Sequence, residues 1–201
     1  MIVAIVLAGG VACSDWLEGP ADKMTVSDSI RRIDTWVSGN APQIGDLLNP
    51  PATEAHIREV ELELNVVFPE SLRRAYLWRN GEARDSHGVF GMLRFLPIDE
   101  IAERRRMFLA SDPRTRPDDG EVRKFIPFLE SGGGDLYYVM SASDENPEPA
   151  VREWWHEQPY QAPIVHESFG DFLRDFAEGL EAGDLVFLGN GTRGLVRRDE
   201  I

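Results

Sequence analysis

The sequence predicts an α+β fold: a single domain in which an antiparallel or mixed sheet packs against helices. Helical signals cluster towards the two ends of the 201-residue chain, a block of extended segments lies between them, and no internal repeat of useful period is visible. A chain of this length suits one domain, because it buries roughly 70% of the surface its unfolded form exposes.

The elements follow in order. Thr25 is placed to cap a helix and Asp28 to favour its dipole, with Ile30, Ile33 and Val37 at helical spacing behind them. After Asn49-Pro50-Pro51, Thr53 caps a second helix with Ile57, Val60 and Leu64 on one stripe. Asn65, tolerant of left-handed backbone, is suited to end it. Pro69 suits the first turn of a third helix, in which Leu72, Ala75 and Tyr76 share a face and which Asn80-Gly81 stops. Two helices so closely joined are expected to pack as a hairpin and to need a sheet over their apolar face.

Val89 to Leu96 mixes β-branched, aromatic and apolar residues and reads as a strand ending at Pro97. A helix begins at Ile98 and runs through Arg104-Arg105-Arg106. Lys124 to Leu129 and Asp135 to Met140 are expected to pair antiparallel through Glu130-Ser131-Gly132-Gly133-Gly134, and Val151 to His156 reads as a further strand. Ser143 to Pro149 is a polar, proline-bearing surface loop. Ser168 caps the clearest helix, with Phe169, Phe172, Leu173, Phe176 and Leu180 on one face, Asp171 three residues after the cap and Gly183 as its C-terminal stop. Leu185 to Leu188 and Gly194 to Val196, around Gly189-Asn190-Gly191, read as a terminal hairpin.

The order of five of these segments resembles the SUKH superfamily, which includes yeast cell-wall assembly regulators of the Smi/Knr type and many bacterial toxin-immunity proteins. They are the helix ending in Asn65-Val66-Val67-Phe68-Pro69, the helix ending in Trp78-Arg79-Asn80-Gly81, Phe90 to Pro97, Ile126-Pro127-Phe128 leading to Gly132-Gly133-Gly134-Asp135-Leu136-Tyr137, and Ser168 to Leu173. Each motif is short and degenerate, and the specificity lies in their order. The resemblance implies the same α+β architecture and a non-catalytic binding protein. It runs from about residue 50 to residue 180, within an expected domain spanning 24–183, with 1–23 as a leader and 184–201 as a hairpin-like C-terminal extension.

The first 13 residues, Met-Ile-Val-Ala-Ile-Val-Leu-Ala-Gly-Gly-Val-Ala-Cys, have the outline of a short secretion signal ending at a lipidated Cys13. They carry no Lys or Arg before the apolar run, the run is short, and Gly10 stands where a lipoprotein signal normally has Leu. The competing reading starts translation at Met24, directly before the first cap, and predicts that a chain begun there contains the whole folded domain. It removes the only cysteine, leaving no disulfide framework. These criteria favour the cytoplasm, with a lipoprotein anchored at Cys13 as the alternative. No apolar run approaches the ~20 residues of a membrane span.

Composition restricts function further. With 35 acidic against 21 basic residues the net charge is −14, a field that repels phosphate backbones and favours basic partners, so nucleic acid is not expected as a ligand. The glycine run before Asp135 lacks the Lys-Ser/Thr pair of a P-loop and no helix signal follows it; it reads as a tight turn needing positive φ, with Asp135 bonding to the turn backbone. His56, His87, His156 and His166 form no close metal-type pair, no Gly-x-Ser-x-Gly elbow occurs, and acid pairs such as Asp118-Asp119 and Glu61 with Glu63 are expected to face solvent. Neither a cofactor nor a metal is expected, and no catalytic residue is assigned. A hydrolase would need its acids gathered across a cleft, which spacing alone does not reveal.

The aromatics point elsewhere. On a strand, Trp154 and Trp155 face opposite ways, so one is available to the core and the other to a partner. Exposed aromatics fringed by acids describe a protein-binding patch, for which Asp135, Glu153, Trp155, His156 and Glu157 are the candidate residues. The expected partner is a protein; for an immunity protein, as the resemblance implies, it is a basic toxin domain such as a nuclease. The alternative is an intracellular regulatory scaffold like the fungal members. Oligomeric state is left open.

Overall fold

The computed structural model describes residues 24–84, 86, 88–111, 124–157, 162–187 and 194–198. Helix α1 (Val26–Asn40) starts in a full capping box: the Asp28 N–H donates to Thr25 Oγ1, and the Asp28 carboxylate accepts from the Thr25 N–H. Ile33 and Val37 are buried beneath it and Ile30 is partly so. A short turn of helix, α2 (Pro42–Gly45), leads to α3 (Glu54–Leu64), which Thr53 caps and Asn65 ends at φ 52°. Pro69 stands immediately before α4 (Glu70–Trp78). The hairpin of α3 and α4 is clamped by Arg73, which reaches Glu54 at 2.8 Å and Glu61 at 2.6 Å. Glu61, expected in solvent, also accepts from the Phe68 N–H at 2.7 Å, because the short connection turns that donor back onto the helix. Asp118-Asp119 lie outside the described residues.

The Asn80-Gly81 stop is a junction of several segments. Asn80 Oδ1 accepts from the Ile98 N–H, and a Cβ on Gly81 (φ 67°) would lie 2.3 Å from the Pro97 nitrogen, so only glycine fits this approach.

A five-stranded antiparallel sheet follows, in the order β1-β2-β3-β4-β5, built from Leu93–Phe95, Phe125–Ser131, Leu136–Met140, Val151–Trp154 and Ile164–His166. Helix α5 (Ile98–Ser111) joins β1 to the rest. The strand expected over Val89 to Leu96 is confined to its last residues. Gly88, Gly91 and Met92 take positive φ and curl Val89 to Met92 into a turn, which drives the Phe90 ring to 4.6 Å from Phe176. The strand expected over Val151 to His156 ends at Trp154, where the His156 N–H leaves the sheet for the Asp135 carboxylate. β5 has no counterpart among the sequence-derived elements. Three residues are too few to show alternation.

Helix α6 (Phe169–Ala182) buries Phe169, Phe172, Leu173, Phe176 and Leu180, is capped by Ser168, and stops at Gly183 with φ 78°. It lies over one face of the sheet, with the Phe169 ring 4.9 Å from Phe128, and α1 and α4 pack against it. Alternation along β3 and β4 sends Leu136 and Trp154 to the opposite face, where Phe108 of α5 meets Phe125 and Trp154. β6 (Leu185–Val186) and β7 (Val196–Arg197) pair as the terminal hairpin, and Leu185 and Leu195 join the core cluster; the Gly189-Asn190-Gly191 turn lies outside the described residues.

Candidate partner-binding surface

The β2–β3 connection is organised by Ser131. Its hydroxyl oxygen accepts from the Gly133 and Asp135 N–H groups and its O–H donates to Asp135 Oδ2 at 3.0 Å. Gly134 carries the positive φ, at 95°. The turn amides of Gly133 and Asp135 thus point inward at Ser131, the reverse of a phosphate cradle. The Asp135 carboxylate does not bond to the turn backbone as expected. Its other oxygen accepts from the His156 N–H at 3.1 Å and lies 2.9 Å from His156 Nδ1, because β4 brings the 155–157 segment alongside the turn. Burial acts to raise the Asp135 pKa, but the hydrogen bonds from His156 and Ser131 outweigh it and hold the carboxyl below its ordinary value. Its contribution to stability is therefore present above the ordinary carboxylate pKa and lost as pH falls through the lower folded value. Asp135→Ala is expected to cost about 1 to 2 kcal/mol in urea unfolding, with Asp135→Asn milder because it retains an acceptor for the His156 N–H.

Two residues further along the pairing, Glu153 accepts from the Tyr137 hydroxyl at 2.8 Å. Burial, reinforced by that carboxylate, pushes the phenol well above its ordinary value, so Tyr137 remains a donor at any physiological pH. Of the paired indoles, Trp154 is buried at 8% exposure and Trp155 stands out at 38%. His156 and Glu157 are exposed beside it. The five candidate residues therefore come together at one end of β3 and β4 with divided duties. Asp135 and Glu153 spend their carboxylates on holding the strand ends, while Trp155, His156 and Glu157 face outward.

Sequence reasoning missed what lies beside them. A groove of about 970 Å³ opens between α6, the Phe90 turn and the terminal hairpin, floored by Leu93, Tyr137, Val165 and Phe176 and rimmed by Asp175, Asp184 and Arg197. These residues come from six separate segments, so no local pattern announces the groove. Among the described residues no group of three or more His, Cys, Asp or Glu is arranged to hold a metal ion, and no helix is long and apolar enough to cross a membrane. His87 and Cys13 lie outside the described residues.

A family model described as "SMI1 / KNR4 family (SUKH-1)" matches residues 51–175, from the approach to α3 into α6, and so contains the whole five-stranded sheet and the Trp155 patch. Among curated proteins, a KNR4/SMI1 homolog of Kluyveromyces lactis is 26% identical over 106 residues, covering 48% of this chain and 20% of that protein. A KNR4/SMI1 homolog of Yarrowia lipolytica is 30% identical over 92 residues, covering 44% of this chain and 13% of that protein. The chain thus matches a fifth or less of the length of these relatives.

Proposed function

Because the chain belongs to the SMI1 / KNR4 family (SUKH-1), we propose that it is a non-catalytic protein-binding module of the cytoplasm, a bacterial immunity protein that neutralises a basic toxin domain by forming a complex with it. The observation that carries this reading is the exposed Trp155, flanked by Glu153, His156 and Glu157, on a chain with net charge −14. A partly exposed indole is a ready interface anchor, and an acidic surround selects a basic partner and speeds its capture. The reading is tested by co-expressing the chain with candidate basic toxin domains, beginning with any that a neighbouring gene encodes. The expected result is a stoichiometric complex with one of them and restored growth of cells that make that domain. Multiple turnover of any substrate by the purified chain, as in a hydrolase, would overturn it.

Within that complex, Trp155→Ala should raise the dissociation rate about tenfold or more, since truncating an aromatic anchor acts mainly on dwell time. Glu153→Lys combined with Glu157→Lys should slow association and weaken its dependence on salt. Surface-plasmon kinetics across a salt series checks both, and unchanged constants in all variants would place the interface elsewhere.

A second reading is an intracellular regulatory scaffold of the kind the family resemblance implies. It is favoured by both relatives being fungal KNR4/SMI1 homologs. A complex with an endogenous regulatory protein in a host lacking any toxin gene distinguishes it from the first.

A further inference from the structure

The two edges of the five-stranded sheet are finished differently. At β1 the edge is closed from within the chain: the Glu82 N–H donates to the Phe95 carbonyl at 2.8 Å, the Phe95 N–H donates to the Glu82 carboxylate at 2.8 Å, and the Phe90 N–H reaches the Leu93 carbonyl. At β5 the situation is reversed. The Glu153 N–H donates to the Pro163 carbonyl at 3.1 Å, so the Pro163 backbone faces β4 and, by the alternation of a strand, the N–H and C=O of Ile164 face away from it. Among the described residues no hydrogen bond reaches either group, and the Ile164 side chain is 49% exposed.

The surroundings of this edge select what pairs with it. A hollow of about 300 Å³ runs between β5 and the first turns of α6, and its charged lining includes Glu167, Asp171 and Asp175 against a single arginine, Arg174. That arginine is already engaged by Asp171 and Asp175. The outward N–H and C=O of Ile164 can pair with another strand, and a net negative hollow calls for cationic side chains on it. We propose that β5 receives an extended segment of the basic protein partner as a sixth strand, its alternate residues being lysine or arginine directed at Glu167, Asp171 and Asp175 and apolar side chains laid beside Ile164. The mode is β-strand addition, in which main-chain hydrogen bonds supply affinity and alternate side chains supply selection. A second copy of the chain is the poorer occupant, since antiparallel pairing of β5 with itself brings two such acidic hollows towards one another. The proposal rests on the binding-module reading and gives it a location, continuous with Trp155 through the Glu153–Pro163 bond.

The test uses the full chain and an eight-residue peptide alternating lysine and valine, followed by fluorescence anisotropy and by amide chemical shifts. Saturable binding is expected, with the largest shifts at Ile164, Val165 and His166. N-methylation of alternate peptide amides, which leaves the protein and all charges untouched, should weaken it at least tenfold in the register that faces Ile164. A glutamate-valine peptide should bind at least tenfold more weakly, and Ile164→Pro, which deletes the outward N–H, should abolish binding. Absence of saturable binding, equal affinity of peptides methylated in either register, or shifts confined to another surface would overturn the proposal. So would a dimer of the chain that Ile164→Pro dissolves, which would assign the edge to a second copy. If the complex with the toxin domain forms as tightly with Ile164→Pro, the edge proposal fails alone. Multiple turnover of a substrate would remove the binding-module reading while leaving the peptide result standing.

Discussion

Phe172→Ala should cost the fold about 3 to 5 kcal/mol, whereas Asp171→Ala, one residue earlier on the same helix, should cost about 1 kcal/mol or less. The Phe172 ring is 7% exposed and lies among Phe90 at 5.5 Å, Phe169 at 5.6 Å, Phe128 at 6.0 Å and the His166 ring at 5.3 Å. These neighbours belong to the Phe90 turn, β2, β5 and α6 itself, so truncation opens a cavity that no single movement closes. Asp171 joins the cap at the helix start, where its carboxylate accepts from Ser168 Oγ, but its backbone N–H still has the Ser168 hydroxyl oxygen as acceptor once the side chain is gone. Urea unfolding of the two variants measures both. Equal losses would place Phe172 off the buried face.

Glu82→Ala should cost a similar amount, about 3 to 5 kcal/mol, through a different mechanism. Glu82 is fully buried, and its carboxylate accepts from the Phe95 N–H at 2.8 Å, the Val89 N–H at 3.0 Å and the Ser86 hydroxyl at 2.6 Å. Alanine leaves the two backbone donors unpaired in the interior and releases both the edge of β1 and the turn that carries Phe90. Glu82 also makes stability depend on pH. Burial pushes its pKa up to about 7, although its hydrogen bonds and Arg94 pull the other way, against an ordinary value of 4.5. Between those values the folded state binds more protons than the unfolded state. The proton-linked part of the Glu82 contribution is therefore complete below pH 4.5, declines as pH rises, and is lost above pH 7, a change of about 3 kcal/mol. Glu82→Gln should remove this part of the slope while keeping the side chain's size. Unfolding free energies of the wild type and Glu82→Gln at pH 5 and pH 8 test it, and parallel pH profiles would show that Glu82 does not titrate in this window.

Local chemistry accounts for the elements that were legible in the sequence. The caps at Thr25, Thr53 and Ser168, the stops at Asn65 and Gly183 and the apolar stripe of α6 each depend on residues within a turn or two of one another, and each forms where its pattern stands. The order of the short motifs likewise carried the family, since order survives where individual residues are degenerate. The candidate surface was legible only in outline. Adjacent tryptophans on a strand require opposite environments, but whether Trp154 or Trp155 is covered depends on Phe108, which α5 delivers to Trp154 from a distant part of the chain.

What the sequence determined by itself is thus the helices other than the short α2, the caps and stops named above, the pairing of β2 with β3 and the acidic character of the chain. Tertiary structure alone decided the rest. It shortened the strand at Phe90 because Glu82 and α6 reward a turn there, it set Asp135 and Glu61 to internal bonds that their neighbours in the chain do not announce, and it formed β5, whose three residues acquire strand geometry only by pairing with β4. The physical reason is common to all of these. Capping and amphipathic periodicity act between residues a few positions apart, whereas burial of a carboxylate, exposure of an indole and an unpaired strand edge depend on groups that only folding brings within a few ångströms.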